Sequence, residues 1–566
     1  MRKDVLALIG VFILSVALRY NMVLTQVPDN MMIDWGDNWS FLTVVELIKA
    51  SKHLPVQDLF FGGIPYVYPP ISLITYALIY MILPVSYVFI SNTLAPIIGS
   101  LTVFGIYFLA YSITKNRWVG VLAAYLSLFS PRYLALSSIP IPEMFGHLQA
   151  PIFMYLLFNA ARSGKRNHAL LAGLCGATLF LNHHLTSAIL FLTAIVYFVL
   201  LTFIRFDLKF IRLLVIVLAV SFLFSSPWWF DTVSKNIMNL VVREQEYAIP
   251  PFRDYISMLS PFTFYFGCLA VIFILLKVFL KRGEGEILIL AWAGFTLLAT
   301  QSRHIVRILF SDLVEKHPNL LLVLAPIYGE RYFDYMAQGF AVMNAMFLGA
   351  AFYWIASKVS LGKSATKIFA ISCGVLLVYP TLTFGFGLSN PLTEAVDSAV
   401  ISSGLGDPYL DISNWALWRM EPDVRDVEEY EASLWMRENL AQNANIIADY
   451  PSGEVISAGA LRKIAGGAEL RVTVDVVGVY SDILVVYYTD EVDEAVKLMK
   501  KRNATHVYIS ERILERGWLP ITSHARFPKY SIGSGMKDTN EEKFINSGCF
   551  KRVYNKDEIR IYELIC

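Results

Sequence analysis

The chain has 566 residues, of which 56% are hydrophobic and 14% aromatic, while only 16% are charged. That composition excludes an ordinary soluble globule and implies many membrane spans. A net charge of +1 is too balanced to argue for a nucleic-acid partner, and the charges gather in loops and in the last third of the sequence.

The first apolar run, Val5–Leu24, lacks an Ala-x-Ala-like cleavage site and is long enough to span, so it reads as a retained anchor. A first outer loop, residues 25–90, follows. Pro28–Ile33 is irregular, and Asp37 is placed to cap a helix running to about His53. Phe41, Leu42, Val45 and Ile48 form its apolar face; Thr43, Glu46 and Lys49 form its polar face. The pattern predicts a helix lying on the outer leaflet, with Trp35 and Trp39 as interfacial aromatics. Pro69–Leu83 is apolar but short and bounded by proline, which predicts a re-entrant or interfacial piece packed against protein.

Further apolar runs occupy Ser91–Thr114, Trp118–Ser137, Glu143–Ala161, His168–Asn182, Ser187–Ile204, Phe210–Trp229, Ser260–Lys277, Glu286–Gln301, Asp334–Ser357 and Ile368–Gly387. The expected total is about eleven spans, or about thirteen if Pro69–Leu83 and Asn319–Pro326 also cross. Basic clusters fall at every second junction: Arg2 and Lys3, Lys115 and Arg117, Arg162 to Arg166, Arg205 to Arg212, Lys277 to Arg282, and Lys358 to Lys367. Basic loops stay on the cytoplasmic side, which predicts a cytoplasmic N-terminus and an extracytoplasmic C-terminal domain in a multi-pass protein of the cell membrane. The division expected is a membrane domain, 1–388, and an outer α/β domain, 389–566.

In that last region Asp423–Leu440 and Asp490–Arg502 read as helices, the latter capped at Thr489 or Asp490. Asn445–Asp449, Arg471–Val477 and Thr505–Ser510 read as strands. Phe550–Ile565 alternates and can turn at Asn555–Asp557, which brings Cys549 and Cys566 together as a disulfide, if the domain lies outside, or as two free thiols. Asn38-Trp-Ser40 and Asn503-Ala-Thr505 match the glycosylation acceptor pattern.

The alternation of basic junctions leaves the chemically interesting ones on the opposite pole. Asp34-Trp-Gly-Asp37 sets two carboxylates just past a span, where they can take a proton from an acceptor or hold a divalent cation. Asp37 also has the plainer role of a helix cap. Pro142-Glu143-x-x-x-His147 places two side chains on one helix face, suited to completing a metal site with Asp34 or to positioning an acceptor or phosphate. Proline and glutamate there also make an ordinary helix start. His183 and His184 are adjacent at an outer boundary. Arg303, His304 and Arg307 follow one span and Arg331 precedes another, on the pole where basic residues are least expected. They suit a permanent anion such as a lipid phosphate, or else pairing with Asp312, Glu315 or Glu330. No zinc-protease helix, nucleophile elbow or dinucleotide fingerprint is present.

With these residues in view the chain resembles the GT-C superfamily of polytopic glycosyltransferases. Asp34 and Asp37 match that family's acidic first loop. Gly63-Ile-Pro-Tyr-Val-Tyr-Pro-Pro70 is similar to its Gly-x-x-Tyr-x-Tyr-Pro-Pro-like segment, and Glu143 fills its second acidic position. Gly329-Glu330-Arg331 resembles its Gly-Glu-Arg-like arginine, and Ala432-Ser-Leu-Trp-Met-Arg-Glu-Asn439 resembles the outer domains of archaeal-type members. The Trp-Trp-Asp-Tyr/Trp-Gly signature of oligosaccharyltransferases has no counterpart after residue 389; Trp228-Trp229-Phe230-Asp231 lies at a span end and does not match.

The resemblance implies an inverting glycosyltransferase that moves a hexosyl or pentosyl group from a polyprenyl-phosphate donor to a glycan, lipid or protein acceptor on the extracytoplasmic face. Asp34 or Asp37 would be the catalytic base. Glu143, His147, His183 and His184 would position the acceptor or a cation (magnesium or manganese, held by Asp34, Glu143 and His147). Arg303, His304 and Arg331 would hold the donor phosphate. Membrane lipids, and no nucleic acid, are the other expected partners. The rival reading is a lipid or sugar transporter, or a non-catalytic scaffold. A transporter gathers its polar groups at the midplane rather than at one pole.

Overall fold

The computed structural model describes residues 2–24, 37–55, 57–66, 68–83, 85–236, 261–281, 283–300, 331–358, 427–465, 476–516 and 541–566. The chain forms two compact units. One takes in Met1–Gln26, Ser91–Trp229 and Ala248–Arg419; the other takes in Val27–Ile90, Phe230–Tyr247 and Met420–Cys566.

The first unit is helical. Among the described residues six helices are long and apolar enough to cross a bilayer: Lys3–Asn21, Tyr87–Thr114, His184–Arg205, Lys209–Phe230, Thr263–Leu280 and Tyr335–Ile355. The chain is thus a polytopic α-helical membrane bundle with a small sheet near its C-terminus, as its composition predicts. The expected run at Ile368–Gly387 and the short piece at Asn319–Pro326 lie outside the described residues.

One expected span takes a different form. Trp118–Ser137 is not one helix: Arg117–Leu126 tightens into a 3-10 turn at Ser127–Phe129, and a separate short helix starts at Pro131. Proline disfavours a helical residue before it, and Ser130 is extended there (φ −104°, ψ 105°). Glu143–Ala161 lies within a 22-residue helix, Pro142–Ser163, with Pro151 in its interior. Gly105 makes room for that proline, since a Cβ there would sit 2.8 Å from the Pro151 ring. Gly164 ends the helix in the left-handed conformation (φ 67°) that glycine alone adopts without strain.

The second unit is α/β. Two residues of the first outer loop form β1 (Gln57–Asp58), paired with β2 (Ile64–Pro65). The main sheet holds β3 (Asn445–Ile447), β4 (Lys463–Ile464), β5 (His506–Ser510), β6 (Phe550–Lys556) and β7 (Ile559–Leu564), in the order β4-β3-β5-β7-β6. β3 is parallel to β4 and β5; β7 is antiparallel to β5 and β6. The β6–β7 hairpin is the one expected from the alternating pattern, and Cys549 and Cys566 are joined as a disulfide at its open end, their Cα atoms 4.9 Å apart. Val427–Asn439 and Val492–Lys501 are helical as predicted. Val476 and Val477, expected to end a strand, instead open the helix Val476–Tyr488; the remainder of that expected strand lies outside the described residues. A valine-rich run favours a strand locally, but this helix buries Val479, Tyr480, Ile483, Leu484 and Tyr487, and that packing decides.

The first outer loop belongs to this unit. Leu59 O accepts the Ile464 amide at 2.8 Å, covering the β4 edge, and Phe60 is wholly buried in the core with Ile446, Ile464 and Tyr480. The helix Asp37–Ser51 packs on Tyr450–Ala460 and on the short helix Ile71–Ile82. The expectation that it lies on the leaflet is therefore corrected. Its apolar residues Phe41, Leu42, Val45 and Ile48 are buried by protein, as is Thr43 on the opposite face. Trp39 is not interfacial either: it is 2% exposed, against the Tyr430 ring at 5.4 Å. Asn38 is fully buried, which removes it as a glycan acceptor.

Candidate active site

Within the helical unit a polar cluster forms at the start of Pro142–Ser163. Proline in the first turn and an extended Ile141 start that helix, and Glu143 sits in its first turn, where the amide dipoles favour a negative group. Glu143 is 8% exposed and faces His183, with Oε1 and Nε2 3.7 Å apart. His183 is extended and caps His184–Arg205: its Nδ1 accepts the Thr186 amide at 3.4 Å and lies 2.6 Å from Thr186 Oγ1. An accepting Nδ1 places the ring proton on Nε2, the nitrogen that faces Glu143. Thr186 Oγ1 is also hydrogen-bonded to the Tyr335 hydroxyl.

Gly146 permits this arrangement. A Cβ at that position would lie 2.6 Å from Thr186 Oγ1, so any other residue would push the two helices apart. One residue further on, His147 is fully buried, stacked on Tyr335 (4.7 Å between centroids) and edge-on to Tyr133 (5.4 Å). Gln338 donates to the His147 carbonyl at 3.1 Å and lies 3.4 Å from its Nδ1. The cluster joins residues nearly two hundred positions apart in the chain, the Gln338–His147 separation being 191.

The sequence-predicted residues separate as follows. Glu143, His147 and His183 are brought into one cluster. His184, next in the chain, is exposed, its ring 5.7 Å from that of His183. Arg331 begins the helix that carries Tyr335 one turn later and Gln338 a turn beyond that. Asp37 begins the helix Asp37–Ser51 in the other unit. Asp34, Arg303 and His304 lie outside the described residues. Among the described residues no three metal-ligating side chains gather: Glu143 and His183 supply two, and the His147 ring is enclosed by Tyr133 and Tyr335.

Sequence reasoning passed over Tyr133, Thr186, Tyr335 and Gln338, and also Arg19. Arg19 is fully buried in the first span and donates through Nη2 to Ser137 Oγ at 2.7 Å, its guanidinium 5.5 Å from the Tyr133 ring centre. A charged residue within an apolar run was the available signal.

This architecture is the GT-C fold. The oligosaccharyltransferase of Archaeoglobus fulgidus superposes with a TM-score of 0.62 at 12% identity, covering 91% of this chain and 70% of that one. ArnT from Cupriavidus metallidurans, in a structure bound to undecaprenyl phosphate, gives 0.53 at 11% identity, covering 99% and 97%. The mycobacterial arabinofuranosyltransferase AftD gives 0.55 at 12% identity, covering 98% of this chain but 41% of its own. No protein-family model and no curated protein matches the sequence.

Proposed function

We propose that the protein is an integral-membrane glycosyltransferase that moves a sugar from a polyprenyl-phosphate donor to an acceptor on the extracytoplasmic face. The observation that carries this reading is the buried Glu143–His183–Thr186–Tyr335 cluster set in a GT-C bundle. The fold neighbours add support: the Archaeoglobus fulgidus enzyme AglB has been seen with a dolichol-phosphate, and ArnT with undecaprenyl phosphate. The disulfide between Cys549 and Cys566 supports an outer location for the C-terminal unit, because such bonds persist in oxidising compartments.

The reaction is a single displacement. Asp34 or Asp37 takes the proton of an acceptor hydroxyl as its oxygen attacks the anomeric carbon. The bond from that carbon to the phosphate oxygen breaks, and polyprenyl phosphate leaves with the electron pair, which inverts the configuration. Arg331, with Arg303 and His304, neutralises the departing phosphate. Glu143, oriented by His183, steadies the acceptor, and His147, held by Gln338 between Tyr133 and Tyr335, fixes the helix that carries Glu143.

The test is turnover in vesicles with a radiolabelled polyprenyl-phosphate sugar. Asp34→Asn is expected to lower transfer at least ~10²-fold while the protein stays folded. Full turnover by that variant would remove the base assignment. Movement of the donor across the bilayer without release of polyprenyl phosphate would favour a transporter.

A further inference from the structure

The helix that begins at Asp37 is held by a row of polar contacts rather than by apolar packing alone. Ser40 Oγ donates to Glu454 Oε1 at 2.7 Å. Thr43 Oγ1 and Ser457 Oγ are hydrogen-bonded at 2.8 Å. Glu46 faces the Arg437 guanidinium at 3.5 Å. The three helix positions are spaced by three residues, so the contacts climb one face at steps of about 4.5 Å. Ser40, Thr43, Glu454 and Ser457 are 2% exposed or less. Further along the helix Lys49 lies 3.5 Å from the centre of the Tyr80 ring, and burial, with the nearby Glu46, pushes the Tyr80 hydroxyl up to about 12.

Burying a carboxylate is costly, and two helices can be joined at less cost by apolar side chains. What hydrogen bonds add is register: sliding the helix by one residue, or rotating it, breaks every contact in the row. The row starts three residues after Asp37, the end of the helix where the proposed base stands. We propose that Glu454, with Ser457, is a positioning element for the catalytic loop, fixing the axial position and rotation of Asp37–Ser51 and so the placement of Asp37. The inference rests on the reading of the first-loop carboxylates as the catalytic base.

The experiment is steady-state transfer by the full-length protein in vesicles, with folding followed by thermal melting. Glu454→Leu removes the acceptor, and kcat is expected to fall about ten-fold or more, as small misplacements of reacting groups do. The donor KM should stay within about two-fold, because a misplaced base is felt in the transition state and not in donor binding. Glu454→Gln retains an oxygen acceptor and is expected to recover most of that loss, which separates positioning from a need for charge. Should Glu454→Leu fail to fold, Ser40→Ala combined with Thr43→Val removes two contacts from the helix side and decides the matter by the same fall in kcat. Wild-type kcat in folded Glu454→Leu, or in the double variant, overturns the proposal. Full turnover by Asp37→Asn and by Asp34→Asn would instead overturn the reading on which it rests, whatever the Glu454 variants do.

Discussion

In the C-terminal unit the Arg512 guanidinium meets Asp449 through two hydrogen bonds, 2.6 and 2.8 Å, and reaches Ser452 Oγ at 2.7 Å. Glu429 accepts from Ser452 at 2.8 Å and from Tyr508 at 3.1 Å. In the helical unit Glu143 faces an imidazole at 3.7 Å, beyond hydrogen-bond reach. Burial alone would lower the Arg512 pKa, yet contact and hydrogen bonding with Asp449, and then Glu429, raise it well above its ordinary value. That network is a lock: it also caps Tyr450–Ala460, since Asp449 accepts the Ser452 amide. The Glu143 cluster sets a carboxylate against an imidazole, the kind of pair the proposed function uses to orient an acceptor. Similar side chains, similarly buried, are tied into a closed network in one place and, on the proposed function, serve chemistry in the other.

The contrast is open to direct attack. The largest effect is expected from Arg512→Met, which leaves Asp449 and Glu429 buried without their guanidinium and should cost about 3–5 kcal/mol of the C-terminal unit's stability. Chemical denaturation followed by tryptophan fluorescence reads this, and a loss below about 1 kcal/mol would show that the network is no lock. Glu143→Gln should do the reverse. Shape is kept and the melting temperature moves little, while kcat drops about 10²-fold. A variant that unfolds, or one that turns over normally, would place Glu143 with Asp449 as a structural carboxylate.

The smallest effect concerns Lys543, whose amine donates to the Tyr487 and Thr489 carbonyls at 2.8 and 2.7 Å, at the end of the helix Val476–Tyr488. Burial pulls its pKa down to about 8, opposed in part by Asp490. The unfolded chain therefore binds more protons between pH 8 and the ordinary lysine value of 10.5, and this group's contribution to stability rises with pH across that window. Buried tyrosines such as Tyr487, raised above their ordinary value of 10.0, act the opposite way at higher pH, so the rise is to be read between pH 8 and 10. Melting temperatures should climb in that range for the wild type and less steeply for Lys543→Met; parallel curves would remove Lys543 as the cause.

Much of the bundle was legible because lipid demands long apolar runs, and these announce themselves. The β6–β7 hairpin and its cysteines were legible because alternation and a turn are local signals. Three features were not. An amphipathic helix states that its apolar face will be covered but not by what, so Asp37–Ser51 read as lipid-facing although Tyr450–Ala460 covers it. A proline within an apolar run does not say where the helix will stop, so the break at Ser130 was missed. In the candidate site Glu143, His147 and His183 stood out as titratable groups near span ends. Thr186, Tyr335 and Gln338 did not, because a threonine, a tyrosine and a glutamine in helices are common, and only a close approach such as that at Gly146 gives them partners.

The origin of Phe60 carries a consequence for biosynthesis. The C-terminal unit completes its core with a side chain made long before the rest, and partners such as Ser40 and Glu454 stand 414 positions apart. A ribosome delivers the early loop first, and that loop must wait through the insertion of the whole bundle before its counterpart emerges. Translated by itself, the tail would carry a hole where the phenylalanine belongs and an uncovered strand edge at Ile464, both invitations to aggregate. Maturation of this protein therefore closes late, with a segment made after the bundle folding around one made before it.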